Sequence, residues 1–258
     1  MRESLEFFFN NQSSSNFGIV NINLEGGLIT ERLFASRELL EEQLRGKTKP
    51  YFLSVEQKPF EFQMAFAFLN SFDNTKMREI SRWLNVSYYK EFYFMDNPQF
   101  RFFVMPVVDS MITHNGMNQG YVTLTMRSND AYSYSQEILT ENYDLSLSPP
   151  EGTLITIDND GDIPIGLEMW ITKYNDGEIT IINTNDNNKE FTINNIKDYE
   201  QVYINHENED IQSNVPNKYH FDDVTTDFMK LPIGRNVLNI IGRCKIQFRY
   251  RFKYLVTI

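Results

Sequence analysis

Apolar and polar residues alternate along most of this chain, with the two-residue period of half-buried strands. Leu5-Glu6-Phe7-Phe8-Phe9 predicts an aromatic strand running into an Asn10-Asn11 turn, and Asn21-Ile22-Asn23-Leu24 alternates until the Gly26-Gly27 pair breaks it. From Pro59 to Asn70, Phe60, Phe62, Met64, Phe66 and Phe68 share one face of a strand whose apolar side is almost wholly aromatic. Ser36 to Leu44 reads two ways. Leu39, Leu40 and Leu44 with acidic residues between them fit an amphipathic helix closed by Gly46, and so short a run also fits a strand. The period changes after Asp73-Asn74-Thr75, which can cap a helix: Met77, Ile80, Trp83 and Leu84 recur every three to four residues and make one stripe over about three turns. Phe92 to Met95, Phe100 to Val108, and the alternation of Val122, Leu124 and Met126 beyond an Asn115-Gly116 turn predict further strands.

The paired prolines Pro149-Pro150 cannot donate to a ladder and interrupt the pattern, which sets a domain boundary there, with domains over 1–148 and 149–258. Every later signal is β. Leu154 to Ile157 meets an Asp158-Asn159-Asp160-Gly161 turn, Asp176-Gly177 joins two alternating runs, and Ile246, Phe248, Tyr250, Phe252 and Tyr254 alternate with Lys245, Gln247, Arg249, Arg251 and Lys253. Short strands at this spacing with Asn, Asp and Gly turns predict an antiparallel sandwich.

Composition sharpens the picture. The chain's 258 residues hold 21 Phe and 14 Tyr, which favours strands over long helices. Lys plus Arg is 24 and Asp plus Glu is 35, a net charge of −11, so the counterion release that drives nucleic-acid binding is disfavoured. The lone Cys244 has no intrachain partner, Arg2 and Glu3 precede only the short run Phe7-Phe8-Phe9, and no stretch of about 18 apolar residues occurs. These features imply a protein made and folded in a reducing cytoplasm, without membrane insertion.

Candidate chemistry is sparse. Asp158, Asp160 and Asp162 alternate as in a calcium loop, but Ile163 stands where that loop needs Gly and Glu168 falls one residue short of the bidentate position, so a solvated acidic turn is the simpler account. Lys245, Arg249, Arg251 and Lys253 share one strand face, either a docking strip for an acidic partner or the wet side of a sheet. His114, His206 and His220 fall in predicted turns without the Glu spacing of zinc hydrolases. Cys244, between Arg243 and Lys245, is an activated thiol if exposed and a small apolar residue if buried. No phosphate loop, nucleophile elbow or dinucleotide fingerprint appears, and acidic pairs leave a glycosidase open only because carboxylate separation is invisible in a sequence. Trp170 and Tyr174, at an even separation on one predicted strand, present either an aromatic platform for a sugar ring or part of a core face.

The ordered series Phe7-Phe8-Phe9-Asn10-Asn11, Phe17-Gly18-Ile19, Lys49-Pro50-Tyr51-Phe52, Pro59-Phe60-Glu61-Phe62, Arg82-Trp83-Leu84, Ile112-Thr113-His114-Asn115-Gly116 and Gly120 to Met126 resembles the distal tail proteins of siphophages and related prophages. Ile157 to Asp162 with Pro164, and Phe228 to Asn236, resemble that family's C-terminal domain. The resemblance implies a mainly β chain: an N-terminal β-sandwich-like ring domain with one main α-helix, then a C-terminal galectin-like antiparallel β-sandwich. It implies a structural protein of the virion tail tip, six copies of which form a ring hub between the tail tube protein and a tail-tip or tail-associated lysin protein, with receptor-binding proteins docked outside and DNA passing through unbound. It carries no catalytic, cofactor-binding or metal residue. A ring needs self-complementary edges, and the strand from Phe60 to Leu69 is the candidate to continue a sheet across subunits. The alternative function is a carbohydrate-binding module recognising host cell-wall glycan through the C-terminal sandwich, with Trp170 and Tyr174 as contacts.

Overall fold

Phe7 and Phe9 are fully buried while Phe8 between them is half-buried, the alternation that a pleated strand imposes. The chain is described by a computed structural model over residues 4–24 and 35–255, and the break expected at Gly26-Gly27 lies outside these residues. It divides into two compact units, one of residues up to Gln136 with the C-terminal Tyr254, the other Glu137–Lys253.

The first unit contains β1 (Phe7–Phe9), β2 (Gln12–Ser13), β3 (Ile19–Ile22), β4 (Arg37–Glu42), β5 (Tyr51–Gln57), β6 (Glu61–Phe68), α1 (Asn74–Leu84), β7 (Lys90–Phe94), β8 (Phe102–His114), β9 (Gly120–Ser128) and the short β10 (Ser133–Tyr134). Seven strands form one antiparallel sheet in the order β2-β1-β7-β8-β9-β6-β3. Its buried face is the aromatic one read from the sequence: Phe62, Met64 and Phe66 of β6 pack with Phe7, Phe9, Phe92 and Phe102. Helix α1 starts where Asp73 Oδ1 accepts the Lys76 amide at 2.8 Å, and it buries Ile80 and Trp83. Trp83 stacks on Phe17 at 4.3 Å between ring centroids, and its Nε1–H donates to the Phe9 carbonyl at 2.8 Å, so the indole's polar atom is satisfied inside the core.

The helical alternative for Ser36 to Leu44 gives way to a strand. Here β4 pairs β5, Leu39 lying opposite Val55 and Leu40 opposite Ser54, and Gly46 takes a φ of +86° in the connection. The strand period was obscured because both faces of the hairpin are exposed, so Leu39 and Leu40 point to opposite sides and neither is driven into a core.

The second unit contains β11 (Ile138–Leu139), β12 (Tyr143–Asp144), β13 (Thr153–Asn159), β14 (Ile165–Gly166), β15 (Glu168–Lys173), β16 (Gly177–Asn183), β17 (Lys189–Ile196), β18 (Gln201–Asn205), β19 (Asp210–Ser213), β20 (Lys230–Leu231), β21 (Gly234–Ile241) and β22 (Cys244–Tyr250). One sheet runs β11-β22-β15-β18-β19 with β12 also on β22, and another β13-β21-β16-β17. Each buries alternate residues on one face, Met169, Ile171, Val202, Ile204, Ile246 and Phe248 in the first and Ile155, Ile157, Ile179, Ile181, Leu238 and Ile240 in the second, as an antiparallel sandwich requires. The unit begins ahead of Pro149-Pro150 because β11 and β12 hydrogen-bond to β22, which carries residues 137–148 into this sheet. Eight of the eleven non-glycine residues with positive φ among the described residues are asparagines, the side chain that best tolerates left-handed turns.

Candidate functional site

Two kinds of surface stand out, one apolar and one polar. The apolar surface is the β4–β5 hairpin. Leu39 and Val55 lie directly opposite each other, Phe52, opposite Glu41, shares their face, and Leu53 is the extra residue at the register shift between Ser54 and Phe52. Leu39, Phe52 and Leu53 are 59%, 61% and 62% exposed, although a two-stranded hairpin needs a third strand or a covering layer to be stable in water. The strand expected to continue a sheet across subunits, β6, is an inner strand here: β9 pairs it along Glu61–Ala67 and β3 along Ala65–Phe68.

The polar surface is the outward face of the six-stranded sheet, where Trp170 of β15 lies opposite Tyr203 of β18 and Gln247 of β22. The Arg249 guanidinium covers the indole at 4.8 Å from the ring centroid and is itself held by Glu168, whose Oε2 also accepts the Tyr203 hydroxyl at 2.5 Å. The Glu168 hydrogen bond is the first cause that holds the Arg249 guanidinium above its ordinary pKa. Tyr174 falls just beyond the end of β15, roughly 13 Å along the strand from Trp170. Its ring meets Tyr199 edge-on at 6.0 Å, and it takes no part in the groove beside Trp170. Three of the four bases of the strip are answered by carboxylates, Arg249 by Glu168, Arg251 by Glu137 and Lys253 by Glu207, while Lys245, opposite Thr172, has no ion pair among the described residues. Of the predicted acidic turn, the organising residue is the buried Asn159, whose amide donates to the Ile163 and Leu231 carbonyls and whose Oδ1 accepts the Gly161 amide. Among the described residues, Asp158, Asp160 and Asp162 do not form a metal-holding group.

Sequence reading missed a buried ionic cluster. Glu200 accepts from the Lys197 amide, Lys218 Nζ, Ser213 Oγ and His220 Nε2, all at 2.5–2.8 Å, and His220 Nδ1 is 2.9 Å from Asp223 Oδ2. Burial pushes the Glu200 carboxyl up, but these donors together outweigh it and bring the carboxyl to about 2. The members are scattered from residue 197 to 223 without periodic spacing, so no sequence signal marks them. The cluster fastens the segment after β19 to the turn before β18, and none of its side chains lines the Trp170 groove except Ser213. Cys244 is fully buried, and burial pushes its thiol to about 12 against the pull of Lys173, which makes it a packing residue and not an activated thiol.

Comparison with known proteins bears on both units. Residues 2–130 match the family described as phage tail protein N-terminal domain, and residues 132–250 that described as phage tail C-terminal domain. The chain is 34% identical over 255 residues, 99% of its own length and 100% of the relative's, to the SPbeta prophage-derived uncharacterized protein YomH of Bacillus subtilis strain 168. Its fold is similar to that of SPP1 Dit, described as a paradigm of the hub adsorption apparatus in Gram-positive infecting phages, with a TM-score of 0.65 and 13% identity over 96% of this chain and 98% of that one. It is also similar to a chain of the activated phage P2 baseplate, with a TM-score of 0.51 and 7% identity over 95% and 97% of the two chains. Since each unit carries its own tail-protein segment and the relative is covered along its whole length, the chain belongs to the phage tail protein family.

Proposed function

We propose that this tail protein closes into a ring of six that joins the tail tube protein to the tail tip and serves as the hub on which a tail-associated lysin and receptor-binding proteins assemble. The β4–β5 hairpin carries this reading. Its two apolar faces are exposed in the isolated chain, and a neighbouring copy that packs against them supplies the missing layer. A contact between different surfaces of identical subunits generates a ring when its rotation closes. The Dit-like fold supports placement at the tail tip, and the net charge of −11 suits a wall past which DNA moves without being retained. The role is architectural and uses no cofactor and no reaction.

Light scattering after size exclusion, over a concentration series, tests the ring. The expected mass is that of six subunits, and F52D combined with L53D is expected to return it to one subunit with unchanged unfolding of the two units. A wild-type chain that stays monomeric at every concentration and also fails to form rings on purified tail tubes refutes the reading.

A further inference from the structure

The outward face of the six-stranded sheet holds a groove of about 430 Å³ that no residue of the β4–β5 hairpin lines. Trp170 lies at its floor, with Tyr203 and Gln247 beside it and Thr172, Gln201 and Asn214 completing the polar lining. No Asp, Glu, Lys or Arg lines it. Several of its hydrogen-bonding groups are left unspent. Among the described residues, the Trp170 Nε1–H, the Thr172 hydroxyl and the Gln201 side-chain amide have no protein partner. Asn214 uses only its Oδ1, to accept the Gln201 backbone amide, and Gln247 uses only its Nε2, to donate to the Thr140 carbonyl.

The indole is also fixed in advance. Arg249 lies over it, Tyr203 is 5.2 Å away at 45°, and Glu168 ties both flanking groups together, so little side-chain entropy remains to be lost when a ligand arrives. The ring is nonetheless 36% exposed.

From this arrangement we infer that the groove binds a neutral oligosaccharide. A pyranose has an apolar C–H face that packs on an aromatic plate and a rim of hydroxyls that both donate and accept, which amides and hydroxyls match. No cation lines the groove itself: Arg249 is held by Glu168, and Lys245, opposite Thr172, lies at its margin, so the phosphate polymer is the comparison that decides. An apolar peptide would bury the unpaired amides without partners.

The full chain is titrated with linear neutral oligosaccharides, maltotetraose and chitotetraose, and with a glycerol-phosphate polymer as the anionic comparison. Tryptophan fluorescence and saturation-transfer NMR report binding. Trp83 is buried in the core of the first unit, so a ligand-dependent fluorescence change belongs to Trp170. The expected result is saturable binding of at least one neutral probe with Kd of about 0.1–1 mM, weakened at least tenfold in W170A and severalfold in Q201A, with the thermal unfolding of both variants unchanged. Loss of binding in Q201A alone serves if W170A is unstable. Binding by neither neutral probe, binding by the phosphate polymer alone, or equal binding by a folded W170A overturns the inference. The result is separable from ring formation, since a chain that binds sugar but neither self-assembles nor forms rings on tail tubes would refute the ring and keep the groove.

Discussion

Acidification is expected to loosen the second unit through one histidine. His206 is 2% exposed, its ring edge-on to Phe191 at 4.5 Å and to Phe228 at 5.6 Å. Its Nδ1 accepts the Met229 amide at 2.9 Å, a bond only the neutral ring can make. Burial pushes its pKa down to about 4 from an ordinary 6.5. The unfolded chain therefore takes up the proton first, and the contribution to stability is complete above pH 6.5 and is lost as the pH falls through 4. Linkage then removes about 2 kcal/mol between pH 7.5 and pH 5, toward a limit of about 3 kcal/mol below pH 4. Urea unfolding read from Trp170 in a W83F background measures this in the unit concerned. H206N places an amide oxygen where Nδ1 was and cannot titrate. It is expected to be less stable at pH 7.5, because packing against Phe191 and Phe228 is lost, but nearly flat from pH 7.5 to 5. If H206N keeps the full pH dependence of the parent, another group is responsible and the argument fails.

Two further outcomes follow from the buried polar groups. Glu200, held at about 2, contributes stability that is complete above its unfolded pKa near 4.5 and is lost as the pH falls toward 2, so E200Q is expected to cost about 3 kcal/mol at pH 7 in urea unfolding and to remove the steepest acid transition between pH 4 and 2; a loss under about 1 kcal/mol contradicts the network. Cys244, buried with its thiol near 12, is expected to react with an aromatic disulfide reagent only at the rate of unfolding, and stoichiometric labelling of the native chain within minutes contradicts its placement.

What the sequence made legible follows from where free energy is spent within a single chain. Strand β6 could be read because one face is buried: Phe62, Met64 and Phe66 alternate with exposed Glu61 and Gln63, and a slip of one residue would turn the aromatics to water. Helix α1 could be read for the same reason, its stripe ending in the buried Ile80 and Trp83. Trp170 was singled out by parity alone, whereas Tyr174 shares that parity yet lies past the strand end, and Gln201 and Gln247 come to the groove from other strands and Asn214 from just beyond β19, which no local pattern connects. Charge clusters such as Glu200 with Ser213, Lys218 and His220 are assembled by the fold from distant positions, so a linear reading has nothing to register.

The hairpin whose first strand reads two ways makes a different point. An alternating pattern records a core inside the chain, because selection for burial acts on one face of each strand. Strands β4 and β5 have no such face: Leu39, Val55 and Phe52 point one way, Leu40 and Tyr51 the other, and the apolar residues fall at adjacent positions that mimic a helical stripe. In an isolated chain that arrangement costs solvation on both sides and gains only a two-stranded ladder. In a ring it gains a layer on each side. The loss of strand period at residues 36–44 is then what a segment written for a neighbour should look like, and the same variants that test the ring, F52D with L53D, test this account. If they leave the assembly intact, the exposed hairpin serves some other surface and its pattern needs another cause.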